Sequence, residues 1–160
     1  MTDDDALAEL VRARGAAWWR IAWLLVGDAQ RAEDLVQTAL SKTYPKLAEL
    51  GQASFEAYLR TTMVRTYISW WRRAWRREVP SEHIETPGTA PTDSLDLVRA
   101  LASLPRAQRA VVVLRYVDDL SVADVADVLG ISQGTVKSHT SRALATLRTS
   151  PHLAPAEDGS

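Results

Sequence analysis

The chain has no cysteine, one phenylalanine and three histidines in 160 residues. Without cysteine there can be no disulfide scaffold, no thiolate-held zinc and no thiol nucleophile. His83, His139 and His152 lie far apart and show no paired ligand spacing, so neither a metal nor a cofactor is expected. Long apolar runs are also missing. The most apolar stretch, 16–26, is interrupted by Arg20 and is too short to span a bilayer. Asp3, Asp4 and Asp5 open the chain with the opposite charge to a secretion signal, so a cytoplasmic protein without membrane insertion is expected. Catalytic carboxylate pairs are absent as well. Glu33-Asp34 and Asp118-Asp119 are adjacent pairs, which diverge on a helix, so no catalytic residue is assigned and the chain is not expected to be an enzyme.

What is present has the balance of a soluble globular protein, with 46 % hydrophobic and 24 % charged residues. That length accommodates one ordinary domain or two small ones. The net charge of −1 gives no hint of a polyanionic partner, but its distribution does. No acid occurs between Ala57 and Arg77, whereas Arg60, Arg65, Arg72, Arg73, Arg76 and Arg77 all fall there. Only Lys42, Lys46 and Lys137 are lysines, so guanidinium forks suited to phosphate dominate the cations.

Helical periodicity governs both ends of the chain. Leu10, Val11, Trp18, Ile21 and Leu25 mark a first helix from about Leu7, which Gly27 closes while Asp28 caps the next. Ala32, Leu35, Val36, Ala39, Leu40 and Leu47 form one face of a second helix, with Pro45 as its expected end. Ser54 reads as the N-cap of a long third helix through Tyr58, Leu59, Met63, Val64, Ile68 and Trp71. Residues 78–94 then combine Pro80, Pro87, Gly88 and Pro91 with acids and little apolar content, the composition of an extended linker. Periodicity resumes at Leu95 and stops at Pro105, and residues 108–117 read as a buried helix despite a local β-prone run. The expected fold is all-α, with helical domains at 1–77 and 95–149 joined by a flexible acidic linker (78–94) and followed by a tail (150–160).

The stretch from Leu120 to Arg148 reads as a helix-turn-helix. Ser121 followed by Asp124 starts a compact helix with Val122, Val125, Ala126 and Leu129, and Gly130 supplies a left-handed turn. Ser132 caps a second helix whose buried side holds Val136, Ala143, Leu144 and Leu147. Thr135, Lys137, Ser138, Ser141 and Arg142 then project outward, a mixture of small hydroxyls and long cations that suits a major groove. An αα-hairpin with a solvated polar face is the competing reading of the same spacing.

In the third helix Tyr67, Trp70, Trp71 and Trp75 alternate with arginines. Cations that track phosphates beside rings that stack on bases are what single-stranded DNA binding requires. Arg65, Ser69, Trp70, Arg72, Arg73 and Arg76 are the candidate contacts. Of the consecutive tryptophans, Trp70 is expected nearer DNA and Trp71 more buried.

Two sets of motifs together resemble a known family. Leu104-Pro105-Arg106-Ala107-Gln108-Arg109, Leu114-Arg115-Tyr116 and the run from Leu129 through Gly130, Ile131, Ser132, Gln133, Gly134, Thr135, Val136 and Lys137 to Ser138 resemble region 4 of bacterial sigma factors. Gly27-Asp28, Ala32-Glu33-Asp34-Leu35-Val36-Gln37 and the Trp/Arg-rich third helix resemble their region 2. In this order, with a short linker, the whole is similar to the extracytoplasmic-function (ECF) sigma factors of the sigma-70 family, SigE-like subgroup. The resemblance implies a factor that binds core RNA polymerase and promoter DNA and directs transcription initiation. It assigns Glu33, Asp34, Leu35 and Gln37 to the polymerase, a face that would otherwise read as merely solvated. It assigns the third helix to minus-10 recognition and melting, and the recognition-helix residues to the minus-35 element. An anti-sigma factor is left open as a further partner. Arg65, Ser69, Gln133 and His139 depart from the residues common in the family, so the promoter sequence is not implied. The alternatives are a LuxR-type regulator, since the recognition-helix motif is shared, and a helical anti-sigma-like module.

Overall fold

The computed structural model describes residues 2–76 and 92–153, and among them there is no strand. Helix α1 (Asp3–Val26) starts in a capping box: Thr2 Oγ1 accepts from the Asp5 N–H, and the Asp5 carboxylate accepts from the Thr2 N–H. Its apolar stripe buries Trp18, Ile21, Trp23, Leu24 and Leu25. Gly27 ends it at φ 75°, a left-handed conformation that favours glycine, and Asp28 caps α2 (Ala29–Thr43) by accepting from the Gln30 and Arg31 N–H groups. Both terminators act as the sequence predicts.

A 3-10 turn at Tyr44–Lys46 contains Pro45, and α3 (Leu47–Arg76) follows. Its break falls at Gly51, with φ 75° and ψ 167°, so the continuous helix begins before Ser54. Ser54 is therefore an exposed first-turn residue rather than the expected N-cap. Phe55, Leu59, Met63 and Val64 bury one side of α3 against α1 and α2, closing a three-helix bundle. Leu35 and Ala32 on α2 are fully buried in the same core.

The second unit begins with α4 (Thr92–Ala102), so the helix starts three residues before the expected boundary at Leu95. The expected linker over 78–91, Arg77 and the tail over 154–160 lie outside the described residues, as do the side chains of Trp75 and Arg76. Helix α5 (Arg106–Val112) runs into a π-helical turn at Val113–Val117, which places Val111, Val113 and Leu114 in the core. Helices α6 (Val122–Leu129) and α7 (Gln133–Arg148) complete the unit.

The two units touch. Helix α1 packs on α4 and α5, and α3 packs on α6. Arg109, 7 % exposed, donates from Nε to the Leu101 carbonyl and from Nη2 to those of Ala102 and Leu104, at 2.9–3.2 Å. A guanidinium there satisfies the carbonyls at the C-terminal end of α4, where a cation also complements the helix dipole. Its Nη1 crosses to the Leu25 carbonyl at 3.0 Å, so one side chain serves both units.

Candidate nucleic-acid interface

Local chemistry positions α7. Ser121 Oγ accepts from the Asp124 N–H at 3.0 Å and starts α6, and Gly130 ends it at φ 69°. Ser132 Oγ accepts from the Thr135 N–H at 3.0 Å and starts α7. Val136 and Ala143 anchor α7 inward, while Leu144 and Leu147 are half-buried. The outward face then presents Lys137, Ser138, Ser141 and Arg142, all exposed. Thr135 differs from them. Its hydroxyl sits 2.8 Å from Ser132 Oγ and the residue is half-buried, so it belongs as much to the cap as to the exposed face.

Two cations that the sequence reading did not single out join this face. Arg115, from the π-helical turn, donates to the Leu120 carbonyl at 2.8 Å and lies 5.7 Å from the Tyr116 ring centre. With Lys137, Ser141 and Arg148 it lines a groove of about 330 Å³ whose apolar floor includes Val122 and Leu144. Lys137, Ser141, Leu144 and Arg148 recur at steps of four, three and four, one face of a helix. That spacing was a usable signal for Arg148. Arg115 comes from another element and gave none.

Helix α3 divides its cations between two tasks. Arg65, Arg72 and Arg73 are exposed and, with Ile68 and Ser69, form one wall of a groove of about 450 Å³. Asp127, Val128, Leu129 and Gly130, at the α6–α7 turn, form the other wall. Arg60 is spent elsewhere: it pairs with Glu56 at 3.4 Å and with Asp118 at 2.9 Å, the latter off the hydrogen-bond line. Tyr67 is buried, with its hydroxyl unpartnered, so it cannot stack on a base. Burial pushes its phenol pKa up despite the nearby charges of Arg109 and Arg106. Trp70 and Trp71 are both half-buried, and Trp70 is the one packed against the core. That reverses the expected phase. Ile68 takes the same inward side, and a one-residue rotation about the helix axis is enough to exchange the tryptophans. Of the remaining candidates, Arg76 is the last residue of α3.

On α2, Glu33, Asp34 and Gln37 are exposed. Gln30 Nε2 donates to Asp34 at 3.2 Å and Gln37 Nε2 to Glu33 at 3.1 Å, so hydrogen bonds one helical turn apart hold both carboxylates on this surface. Leu35 does not share that face. It is fully buried against the bundle and can only support the surface from beneath.

A network of charges joins the halves beside these faces. Glu56 accepts from Arg14 Nε at 2.7 Å and from Trp18 Nε1 at 3.1 Å, and it pairs with Arg60. Burial alone would raise its pKa, but the bonds from Arg14 and Trp18 and the two guanidinium charges outweigh that and hold the carboxyl below its usual value. Asp118 goes the other way. Burial raises its pKa, with Glu56 and Asp119 adding to the effect, and the charges of Arg60 and Arg14 do not compensate. Among the described residues there is no cluster able to hold a metal ion, and no helix long and apolar enough to cross a membrane.

The family description "Sigma-70 region 2" matches residues 10–77 and "Sigma-70, region 4" matches residues 94–147. The chain is 42 % identical to the RNA polymerase sigma-E factor of Streptomyces coelicolor, over 88 % of this chain and 82 % of that one. It is 34 % identical to the ECF RNA polymerase sigma factor SigL of Mycobacterium tuberculosis, over 89 % of each. Among solved structures it is similar to the sigma factor RpoE of Bartonella quintana, crystallised with the anti-sigma factor NepR. That match has a TM-score of 0.70 and 29 % identity, covering 90 % of this chain and 94 % of the other. Both halves match in the order read from the sequence, which neither the LuxR-type nor the anti-sigma-like alternative accounts for. The chain belongs to the sigma-70 family of RNA polymerase sigma factors, and within it to the extracytoplasmic-function sigma factors.

Proposed function

We propose that the chain acts in the cytoplasm as a non-enzymatic initiation factor, binding core RNA polymerase through α2, the minus-35 element through α7 and the melted minus-10 strand through α3. The observation that carries this reading is the pair of exposed cationic faces, Lys137 with Arg142 on α7 and Arg65 with Arg72 and Arg73 on α3, one on each unit. On α7, phosphate contacts set the register, and hydroxyls that tolerate close approach read base edges. On α3, guanidinium groups follow the backbone of a separated strand. The half-buried Trp71 is the ring better placed to stack, because Trp70 is committed to the core. Stacking contributes about 1–3 kcal/mol per base, which offsets the few kcal/mol lost at each unstacked step. An acidic α2 face suits a basic surface on the polymerase and speeds encounter. An anti-sigma factor is a candidate third partner, since the similar Bartonella fold was solved with one.

The test is permanganate footprinting of a promoter fragment with core polymerase and the purified chain. Arg72→Ala with Arg73→Ala should reduce the reactivity of the melted strand while leaving the minus-35 footprint in place. Lys137→Ala with Arg142→Ala should weaken the minus-35 footprint itself. Unchanged footprints in both would remove the assignment of these two faces to DNA.

A further inference from the structure

Helix α7 carries a polar residue to which the minus-35 reading gives no task. His139 stands in its second turn, four residues after Thr135 and three before Arg142, so it shares a side of the helix with both. Val136 and Ala143, the residues that anchor α7 inward, neighbour it at three and four positions on the other side. His139 is half-buried as a result, on the edge where the outward face meets the core. Thr140, next in the chain, turns its hydroxyl back to the Val136 carbonyl at 2.8 Å and is not free to reach outward.

The two ring nitrogens of His139 differ. Nδ1 is buried and has no hydrogen-bond partner among the described residues, whereas Nε2 is neither buried nor bonded. A neutral imidazole carries one proton. On Nδ1 it would make a buried N–H without an acceptor. On Nε2 it leaves only a lone pair unpaired, and orphaned donors are rarer in proteins than under-used acceptors. The ring therefore offers a single N–H outward, beside Ser138 and Arg142.

We infer that His139 is a base-reading residue of α7, an uncharged donor that selects guanine and rejects cytosine at one position of the minus-35 element. The inference rests on the reading of α7 as the minus-35 helix, and adds to it a residue, a hydrogen-bonding sense and a base. In the major groove guanine sets two acceptors, N7 and O6, side by side. Adenine pairs its N7 with a donor, thymine flanks O4 with a methyl group, and cytosine shows only an amino donor. An outward N–H is complementary to the first and opposed by the last. Lys137 and Arg142 can bind phosphate on any sequence, and release counterions when they do. An uncharged imidazole releases none, so His139 contributes discrimination rather than general affinity.

The test uses holoenzyme, core polymerase with the full chain, at about pH 8, where imidazole is uncharged. Binding to a promoter library randomised over the minus-35 element should favour guanine over cytosine at one position. His139→Ala should reduce that preference about three- to tenfold, the effect of one hydrogen bond, and leave the other positions and the salt slope unchanged. Two further variants separate reading from packing. The amide of His139→Gln reaches about as far as Nε2 and should keep much of the preference. The amide of His139→Asn reaches only to the place of Nδ1 and should lose it.

Unchanged base preference in His139→Ala would overturn the inference, and so would a loss equal for all bases that tracks the melting temperature in all three variants. A salt slope shallower by about 0.9 would make His139 a phosphate contact and overturn it as well. Equal losses in His139→Gln and His139→Asn would remove the outward donor, even if His139→Ala were too unstable to measure. The α7 reading fails separately, through an unchanged minus-35 footprint when Lys137 and Arg142 are both replaced by Ala. If that footprint weakens while His139→Ala keeps every preference, only the role of His139 falls.

Discussion

Helices α3 and α7 both carry arginines beside apolar residues, yet they reach their exposed faces by different means. In α7 every determinant is local. Ser132 starts the helix, Gly130 turns the chain into it, and Val136 and Ala143 fix which side is buried. In α3 the determinants come from far along the chain. Arg60 is committed to Asp118, Tyr67 is buried near Arg109 and Arg106, and the groove beside Arg72 has Gly130 on its far wall. A face set by caps and turns is available on its own, whereas one set by distant contacts depends on how two units meet. The second kind lends itself to regulation.

That contrast can be broken most sharply at Arg109. Replacing it by Ala leaves its carbonyl acceptors in a buried place without donors, at about 1–3 kcal/mol for each one not rehydrated. Urea unfolding should show the largest loss of stability of the single changes considered, together with weaker coupling between the units. A loss below about 1 kcal/mol would show that the carbonyls find water and that the units are held mainly by other contacts.

The tryptophan pair sharpens the same comparison within α3. Trp70→Ala should cost more stability than Trp71→Ala, because only the first removes packing from the core, where a fully buried aromatic is worth about 3–5 kcal/mol and a half-buried one correspondingly less. Trp71→Ala should lower permanganate reactivity of the melted strand more than it lowers the melting temperature. Equal stability losses would mean that the tryptophans share the core.

On α7, Lys137→Ala and Arg142→Ala should each weaken minus-35 binding by about 1–3 kcal/mol if the contact is to a base edge. A phosphate contact would instead weaken all sequences alike and flatten the salt dependence. Neither change should alter unfolding, since both side chains are exposed.

The smallest effect expected is in the acid response. The Glu56 carboxyl sits below its ordinary value of 4.5, so its stabilising contribution is fully present above that pH and is lost as pH falls through the lowered value. Glu56→Gln should reduce stability near neutrality and flatten this acid branch. Asp118 has the opposite sign: its raised pKa gives a contribution present at low pH that is lost as pH rises. An acid branch unchanged by Glu56→Gln would remove the Arg14–Glu56–Arg60 network as its source.

The sequence was most legible where structure is decided within a few residues. Gly27 and Asp28 at the α1–α2 junction, Ser121, Gly130 and Ser132 in the helix-turn-helix, and the outward Lys137 and Arg142 all stand where short-range chemistry puts them. Leu35 misled because the motif that the family resemblance assigns to the polymerase and a core-facing stripe occupy the same helix, and its zero exposure assigns it to the core. The break at Gly51 was hidden because Ser54 offers a plausible cap three residues later. Consecutive aromatics at Trp70 and Trp71 do not fix helical phase by pattern alone, since either can face inward until the partner surface is known. Arg60 looked like one more member of a free cationic run, and only the turn at Asp118, 58 positions away by number, shows otherwise.

The central claim, that this chain gives core RNA polymerase its promoter specificity, is tested most directly by run-off transcription on genomic promoter fragments. Core polymerase alone should give no discrete product. Adding the chain should yield transcripts of defined length from a subset of fragments, lost when Lys137 and Arg142 are both replaced by Ala. Transcription that is unchanged by the chain across all fragments, with core binding confirmed, would contradict the account.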